Sequence, residues 1–234
     1  ISESGHSASI IELNCETDFT ARNVEFESLA KKIAELALEM KTNDVEALKA
    51  AKLTHLSVAE ELTELITKIG ENMNLRRVSY IEENVGQIYG YNHMQGKIGS
   101  LVILKGQKET SSELKTLGLD VAMHVAASAP KYLDRNAVPS TEIEQEAQIA
   151  RKRLEDQGKP AHIIEKAVPG QLNRYYVDVC LIDQPFVKEP KKSVEKHITE
   201  QNMGLELSGF VRYQLGEGIE VASKNFAEEV QSQL

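Results

Sequence analysis

Six histidines (His6, His55, His93, His124, His162 and His197) and two cysteines (Cys15 and Cys180) are the side chains best suited to metal ligation or proton transfer. None of the histidines forms an HxxxH or HExxH pair, and the cysteines belong to no CxxC or Cys/His cluster with metal spacing. No GxSxG places a serine on a nucleophile elbow, and no GxxxxGK[ST] cradles phosphates. Gly216 and Gly218 in LGEG lack the remaining spacing of a dinucleotide fingerprint. The pattern calls for no cofactor and no metal, and it gives covalent chemistry no visible home. Two buried thiols in a reducing compartment are the expected state of Cys15 and Cys180.

The informative segment is Asn14 to Asn23, NCETDFTARN. One reading makes it a helix entry, with Thr17 or Asp18 accepting from free backbone N–H groups. A second reading places Phe19 just off a strand end among polar neighbours, where its ring can enter a partner's pocket. Periodicity does not separate the two.

The elements that would carry these residues are legible in outline. Apolar residues recur at helical spacing over Val24 to Met40, behind Asn23 as N-cap. Ser57 with Glu60 makes a capping box for a helix over Ser57 to Ile69, and Gly70 stops it. Asp44 to Lys52 is a weaker helical stretch. Strands are expected over Ser9 to Asn14, Leu75 to Glu82, Val85 to Tyr91 and Lys97 to Lys105, in clusters that favour an antiparallel sheet.

A strand followed by a helix occurs twice, as SASIIELN then LAKKIAELALEM and as GKIGSLVILKG then LKTLGLDVAMHVAAS. GLELSGFVRYQLGEG reads as a further strand of the same kind. The expected class is α+β: two related subdomains of antiparallel sheet with packed helices, residues 1–84 and residues 85–140 with 177–234. Residues 141–176 are expected to project as an antiparallel helical hairpin. Thr141 with Glu144 would cap its first helix, Gly158 would end it, and Pro160 would sit in the first turn of the second. Ile143, Ile149, Leu154, Ile163, Ile164 and Val168 would form its seam, and Pro169 with Gly170 would kink or end the returning helix.

Charge narrows the partners. Lys and Arg number 27 against 36 Asp and Glu in 234 residues, a net charge of −9 that repels phosphate backbones, so no direct nucleic-acid contact is expected. The longest apolar run, Leu101 to Leu104, falls far short of the roughly 20 residues of a spanning helix, so no membrane contact is expected either. Acidic charge and unpaired cysteines point to the bacterial cytoplasm over an exported setting, and an organelle matrix would look the same. The chain begins at Ile1 without a leader, as a fragment or processed form would.

NCETDFTARN, KIGENMNLRRV from Lys68 to Val78, VAMHVAASAP from Val121 to Pro130, DQPFV from Asp183 to Val187 and GFVRYQLGEGIE from Gly209 to Glu220 stand in this order along the chain. Together they resemble the bacterial elongation factor Ts family. The resemblance implies a guanine nucleotide exchange factor for elongation factor Tu in translation, without covalent chemistry of its own. It implies that Asp18 and Phe19, matching the Asp-Phe of the family's TDFV motif, reach the GTPase near its magnesium and phosphate site, with the ring wedging between apolar side chains. Ile69 and Gly70 match a second contact to the same domain, and His93 in YNHMQG matches a family histidine in YQHG. Val187 in DQPFV matches a contact to another domain of the GTPase, with core packing the competing reading for Phe186 and Val187; His124 is assigned to the core. Four departures stand out: Thr20 replaces the usual Val, Met94 and Gln95 precede the glycine after His93, the helical N-terminal module of the family is absent from these residues, and Pro169 is unexpected in the returning helix of the hairpin, which matches the family's coiled-coil protrusion. A hairpin scaffold for an unrelated partner and an enzyme of unknown reaction are the alternatives; timing labelled-GDP release from the GTPase separates the first, and clustered perturbed acids or histidines would support the second.

Overall fold

The computed structural model describes residues 1–3, 5–106, 111–201 and 203–219. Strands β1 (Ser2–Glu3) and β2 (Ser7–Asn14) are followed by a short helix α1 (Asp18–Ala21) and the long helix α2 (Val24–Met40). Helices α3 (Val45–Ala50) and α4 (Val58–Ile69) lead to β3 (Asn74–Glu82). The strands β4 (Gly86–His93) and β5 (Ile98–Lys105) and helix α5 (Ser112–Ser128) come next. After helices α6 (Ser140–Asp156) and α7 (Ala161–Val179), the chain forms a small hairpin of β6 (Pro185–Phe186) and β7 (Glu189–Ser193), helix α8 (Val194–Thr199) and strand β8 (Glu206–Gln214). Two antiparallel three-stranded sheets result, in the orders β1-β2-β3 and β4-β5-β8. The class is α+β, as the clustering of strands in the sequence implied.

The helices start and stop where local chemistry dictates. Asn23 accepts from the Glu25 N–H at 2.8 Å at the head of α2. At the head of α4, the Ser57 hydroxyl accepts from the Glu60 N–H while the Glu60 carboxylate accepts from the Ser57 N–H. Gly70 ends α4 at φ 84°, in the left-handed region that suits a residue without Cβ. Phe26, Leu29, Ile33 and Ala37 of α2 pack with Leu62 and Leu65 of α4 and with Leu75 and Val78 of β3 into one core. A second core joins Leu114, Leu117, Val121 and Val125 of α5 to Tyr89, Val102, Leu104, Phe186 and Val194. Ala8, Ile10, Ile88 and Leu101 pack between the two sheets.

The two strand–helix copies correspond in detail. In each copy a fully buried serine of the central strand donates its hydroxyl to a carbonyl of the following helix: Ser9 to Ala34 at 2.6 Å and Ser100 to Ala122 at 2.7 Å. The ladder is irregular at the matching place in each, between Glu12 and Leu13 and between Ile103 and Leu104. Both helices have 17 residues and end on a non-glycine residue in the left-handed region, Lys41 and Ala129.

Several expectations are corrected. Thr141 and Glu144 form no capping box: α6 starts at Ser140 with Pro139 as N-cap, and no side chain caps it, because Thr141 already lies inside the first turn. Pro160 is the N-cap of α7, not a first-turn residue. Helix α7 neither breaks nor ends at Pro169 and runs on to Val179. Pro169 is exposed, so water can serve the Glu165 carbonyl that the ring leaves without a donor. The apolar contact between α6 and α7 is made by Ala150, Ile164 and Val168 with Ala147, Leu154 and Leu172, whereas Ile149 and Ile163 face solvent. Cys180 is buried, but Cys15 is only half-buried. Glu220 and the remainder of 220–234 lie outside the described residues. No helix among the described residues is long and apolar enough to cross a membrane.

Candidate functional site

Residues 14–23 form the expected helix entry, and the same turn leaves Phe19 exposed beyond the end of β2. Thr17 is the N-cap of α1, and its hydroxyl accepts from the Thr20 N–H at 3.3 Å. One turn of helix, with Thr20 as its buried foot, then points Phe19 outward at 89% exposure. A ring left this open has no packing of its own to hold it, so its direction is set by what fixes α1.

Two side chains from distant segments do so. The Glu71 carboxylate, just beyond Gly70, accepts from the Thr17 N–H at 3.0 Å and from the Thr17 hydroxyl at 2.6 Å. Those bonds, the Thr17 hydroxyl foremost, hold the Glu71 carboxyl below the usual range, with the Thr20 hydroxyl contributing as well. On the other side, the Lys97 ammonium donates to Asp18 at 2.9 Å and, with its charge, lowers the Asp18 carboxyl. Lys97 lies in the turn between β4 and β5, directly after three consecutive left-handed residues, Met94, Gln95 and Gly96. The Asp18–Phe19 pair, the Ile69–Gly70 pair and the turn bearing His93 are thereby brought together by two polar contacts. Behind α1 a cleft of about 500 Å³ runs between β2, the start of α2 and this turn, with Asp18, Arg22, Phe26, Lys97 and Tyr213 on its walls.

The remaining expected residues have definite places. Ile69 is half-buried against the first core, and Gly70 is exposed with open space where a Cβ would stand. His93 is exposed, stacks on Tyr91 and shares a 3.1 Å hydrogen bond with its hydroxyl. Val187 is set apart from this group. Its N–H donates to His124 Nδ1 at 3.1 Å, and Nε2 of the same ring pairs with Gln184 Oε1 at 3.0 Å, which leaves the proton on Nε2. His124 is fully buried, as assigned, and burial lowers its pKa despite the Gln184 bond. The Phe186–Val187 pair divides: Phe186 is sealed in the core between His124 and His197, while Val187 is 44% exposed.

Sequence reading missed Glu71 and Lys97, which lie 54 and 79 residues from the groups they bind and carry no local signature. It also missed Glu12 of β2. This buried carboxylate takes hydrogen bonds from Arg76, Arg77 and the Gly216 N–H, and so joins β2 and β3 to the turn that follows β8. An acid within a strand pattern reads as a surface position until its partners are seen.

No cluster of three or more metal-ligating side chains occurs among the described residues. What the arrangement offers is a bare aromatic ring beside a paired carboxylate on a braced single turn of helix. The profile of the family described as Elongation factor TS matches residues 16–217, from the residue before Thr17 to the turn held by Glu12, and the chain belongs to that family of nucleotide exchange factors for elongation factor Tu in translation elongation.

Proposed function

We propose that this protein releases GDP from elongation factor Tu by inserting Phe19 beside the GTPase's magnesium and phosphate site, with Asp18 carrying a carboxylate into the same neighbourhood. The observation that carries this reading is the exposure of Phe19, 89%, on a helix of four residues fixed from two sides. A GTPase holds its nucleotide through backbone N–H groups on the phosphates and through Mg²⁺, so a factor that displaces those elements binds the empty form more tightly than the occupied one. Linkage makes the effect reciprocal: nucleotide weakens the factor by the same ratio as the factor weakens nucleotide. The protein supplies no bond-making group in this account. Its contribution is the differential contact itself.

Ile69, Gly70 and His93 widen the contact on the same partner domain, since polar bonds tie their segments to α1. Val187, exposed next to the buried Phe186, is a second point of grip on another domain of the GTPase, and separation between the two points gives the ring leverage. Helices α6 and α7 form a projecting antiparallel hairpin, a reading supported by their packing on each other through a narrow seam of small and aliphatic residues. The site of action is the cytoplasm, where the GTPase works.

The test is Phe19→Ala, assayed by release of labelled GDP from its complex with elongation factor Tu. Removing an aromatic hot spot costs about 2–4 kcal/mol of binding, which corresponds to roughly 30- to 700-fold at 1.4 kcal/mol per decade. Stability should move by less than about 0.5 kcal/mol, because the ring is exposed. GDP release at the wild-type rate would remove the wedge from the mechanism.

A further inference from the structure

We propose that Glu71 is the positioning residue of the exchange site, acting on the partner only through the direction it gives Phe19; the proposal rests on the wedge reading above. Helix α1 is too short to hold its own course. Four residues close barely one turn, and nucleation of so short a helix in water is unfavourable. Its one buried side chain is the small Thr20, which adds little apolar packing to hold the turn. The Glu71 carboxylate meets these needs. It takes the otherwise free Thr17 N–H and turns the Thr17 hydroxyl so that its lone pairs face the Thr20 N–H.

Lys97 is the lesser hold, since it makes one bond to an exposed side chain whereas Glu71 takes two, one of them from the backbone. Glu71 is itself fixed because it follows Gly70, whose left-handed conformation ends α4 and turns the chain toward α1. The angle between Phe19 and the rest of the contact surface is therefore set by a carboxylate that need not touch the GTPase.

The experiment measures labelled-GDP release from elongation factor Tu over a range of factor concentrations, separating the maximal rate from the half-saturating concentration. The variants are Glu71→Ala, Glu71→Gln, Phe19→Ala and the Phe19→Ala, Glu71→Ala double. Loss of alignment lowers the maximal rate by roughly tenfold in Glu71→Ala. In Glu71→Gln, whose amide oxygen still accepts from the Thr17 N–H, about half of that loss on a logarithmic scale is recovered. In the double variant Glu71→Ala adds less than about twofold, because a missing ring cannot be misdirected. Wild-type release by Glu71→Ala, or an equal slowing on both the Phe19 and Phe19→Ala backgrounds, would overturn the proposal. Wild-type release by Phe19→Ala would instead overturn the wedge on which it rests. Thermal midpoints of all four proteins are recorded together with the rates, and a slowing of Glu71→Ala that scales with lost stability and is not rescued by Gln also counts against positioning.

Discussion

Replacing Glu12 by Gln should weaken the junction between the two sheets and should do so in a pH-dependent way. The carboxylate is almost wholly buried, and three donors converge on it: Arg76 Nη1 at 2.9 Å, the Arg77 Nε–H and the Gly216 N–H at 2.9 Å. Burial alone would raise its pKa, but these hydrogen bonds and the two guanidinium charges outweigh it and leave the group below the ordinary carboxylate range. Gln keeps the shape and one acceptor oxygen, yet it turns an NH₂ toward cations and removes the charge. Breaking a buried pair costs about 3–5 kcal/mol when the surviving partner stays dry. Here both arginines retain about a quarter of their side-chain exposure, so water recovers part of that loss and about 2–4 kcal/mol is expected. At roughly 2–4 °C per kcal/mol for a chain of this size, the melting temperature falls by about 5–15 °C at pH 7. Because the folded pKa is depressed, the contribution is fully present above the unfolded value of about 4.3 and disappears as pH falls below it toward the folded value. Thermal melts of wild type and variant from pH 8 down to pH 3 should therefore converge at the acid end. A gap below 1 kcal/mol at pH 7, or a gap that persists unchanged in acid, would refute the assignment of Glu12 as an ionised buried junction.

A Cβ placed on Gly118 would stand 2.0 Å from Tyr89 Cδ2, so Gly118→Ala forces a buried ring aside; the 1–3 kcal/mol typical of overpacking should exceed the roughly 1 kcal/mol that Ala gains in a helix. Gly170→Ala in α7 meets nothing within 4 Å and should raise the denaturant midpoint instead, so the opposite signs of the pair check the packing argument. Gln95→Gly relieves a left-handed side-chain residue at φ 57° and should stabilise by about 0.5–1 kcal/mol in chemical denaturation, after the extra freedom of glycine in the unfolded chain is subtracted. For the thiols, alkylation of native protein at pH 8 should modify half-buried Cys15 and spare Cys180, whose pKa burial and the neighbouring Asp183 push up to about 11; mass spectrometry of peptides reads the order, and early labelling of Cys180 would contradict its burial.

What was legible in the sequence was what neighbours decide. Asn23, Ser57 with Glu60, and Gly70 act over two to four residues, and each does what its type and spacing implied. The duplicated strand–helix unit was legible too, because the same requirement of packing a helix on a strand recurs with the same residue types. The misreadings share a cause, which is dependence on something outside the local window. Pro139 stands at the N-cap of α6, two residues ahead of Thr141, and no side chain caps the helix. Ile149 and Ile163 have the residue type of a seam but the wrong azimuth, and Ala150 fills the contact instead. Pro169 reads as a breaker only where its orphaned carbonyl would be buried, and here that side of the helix is wet. Glu12, Glu71 and Lys97 bind groups more than 50 residues away, and no periodicity announces such pairs.

The two copies differ in length at the segment that bears Phe19. In the two copies the serine and the carbonyl it binds are 25 and 22 residues apart, although the strands and helices between them match in length. The three extra residues of the first copy therefore lie in its connection, 15–23, against 106–111 in the second. That connection is the one that folds into α1 and carries Asp18 and Phe19. Lengthening a surface connection adds little loop-closure entropy, so a strand–helix unit can acquire such an excursion without disturbing its core. An excursion with one buried residue cannot point a ring reproducibly, however, and its own unit adds only local bonds such as Asn23 N–H to the Thr20 carbonyl at 2.9 Å. The holds come from elsewhere: Glu71 from the segment that ends α4, and Lys97 from the β4–β5 turn of the other sheet. The Glu12 junction keeps that second sheet at a fixed distance from β2, so the bracing of Phe19 depends on the contact between the two sheets as much as on the loop that bears it.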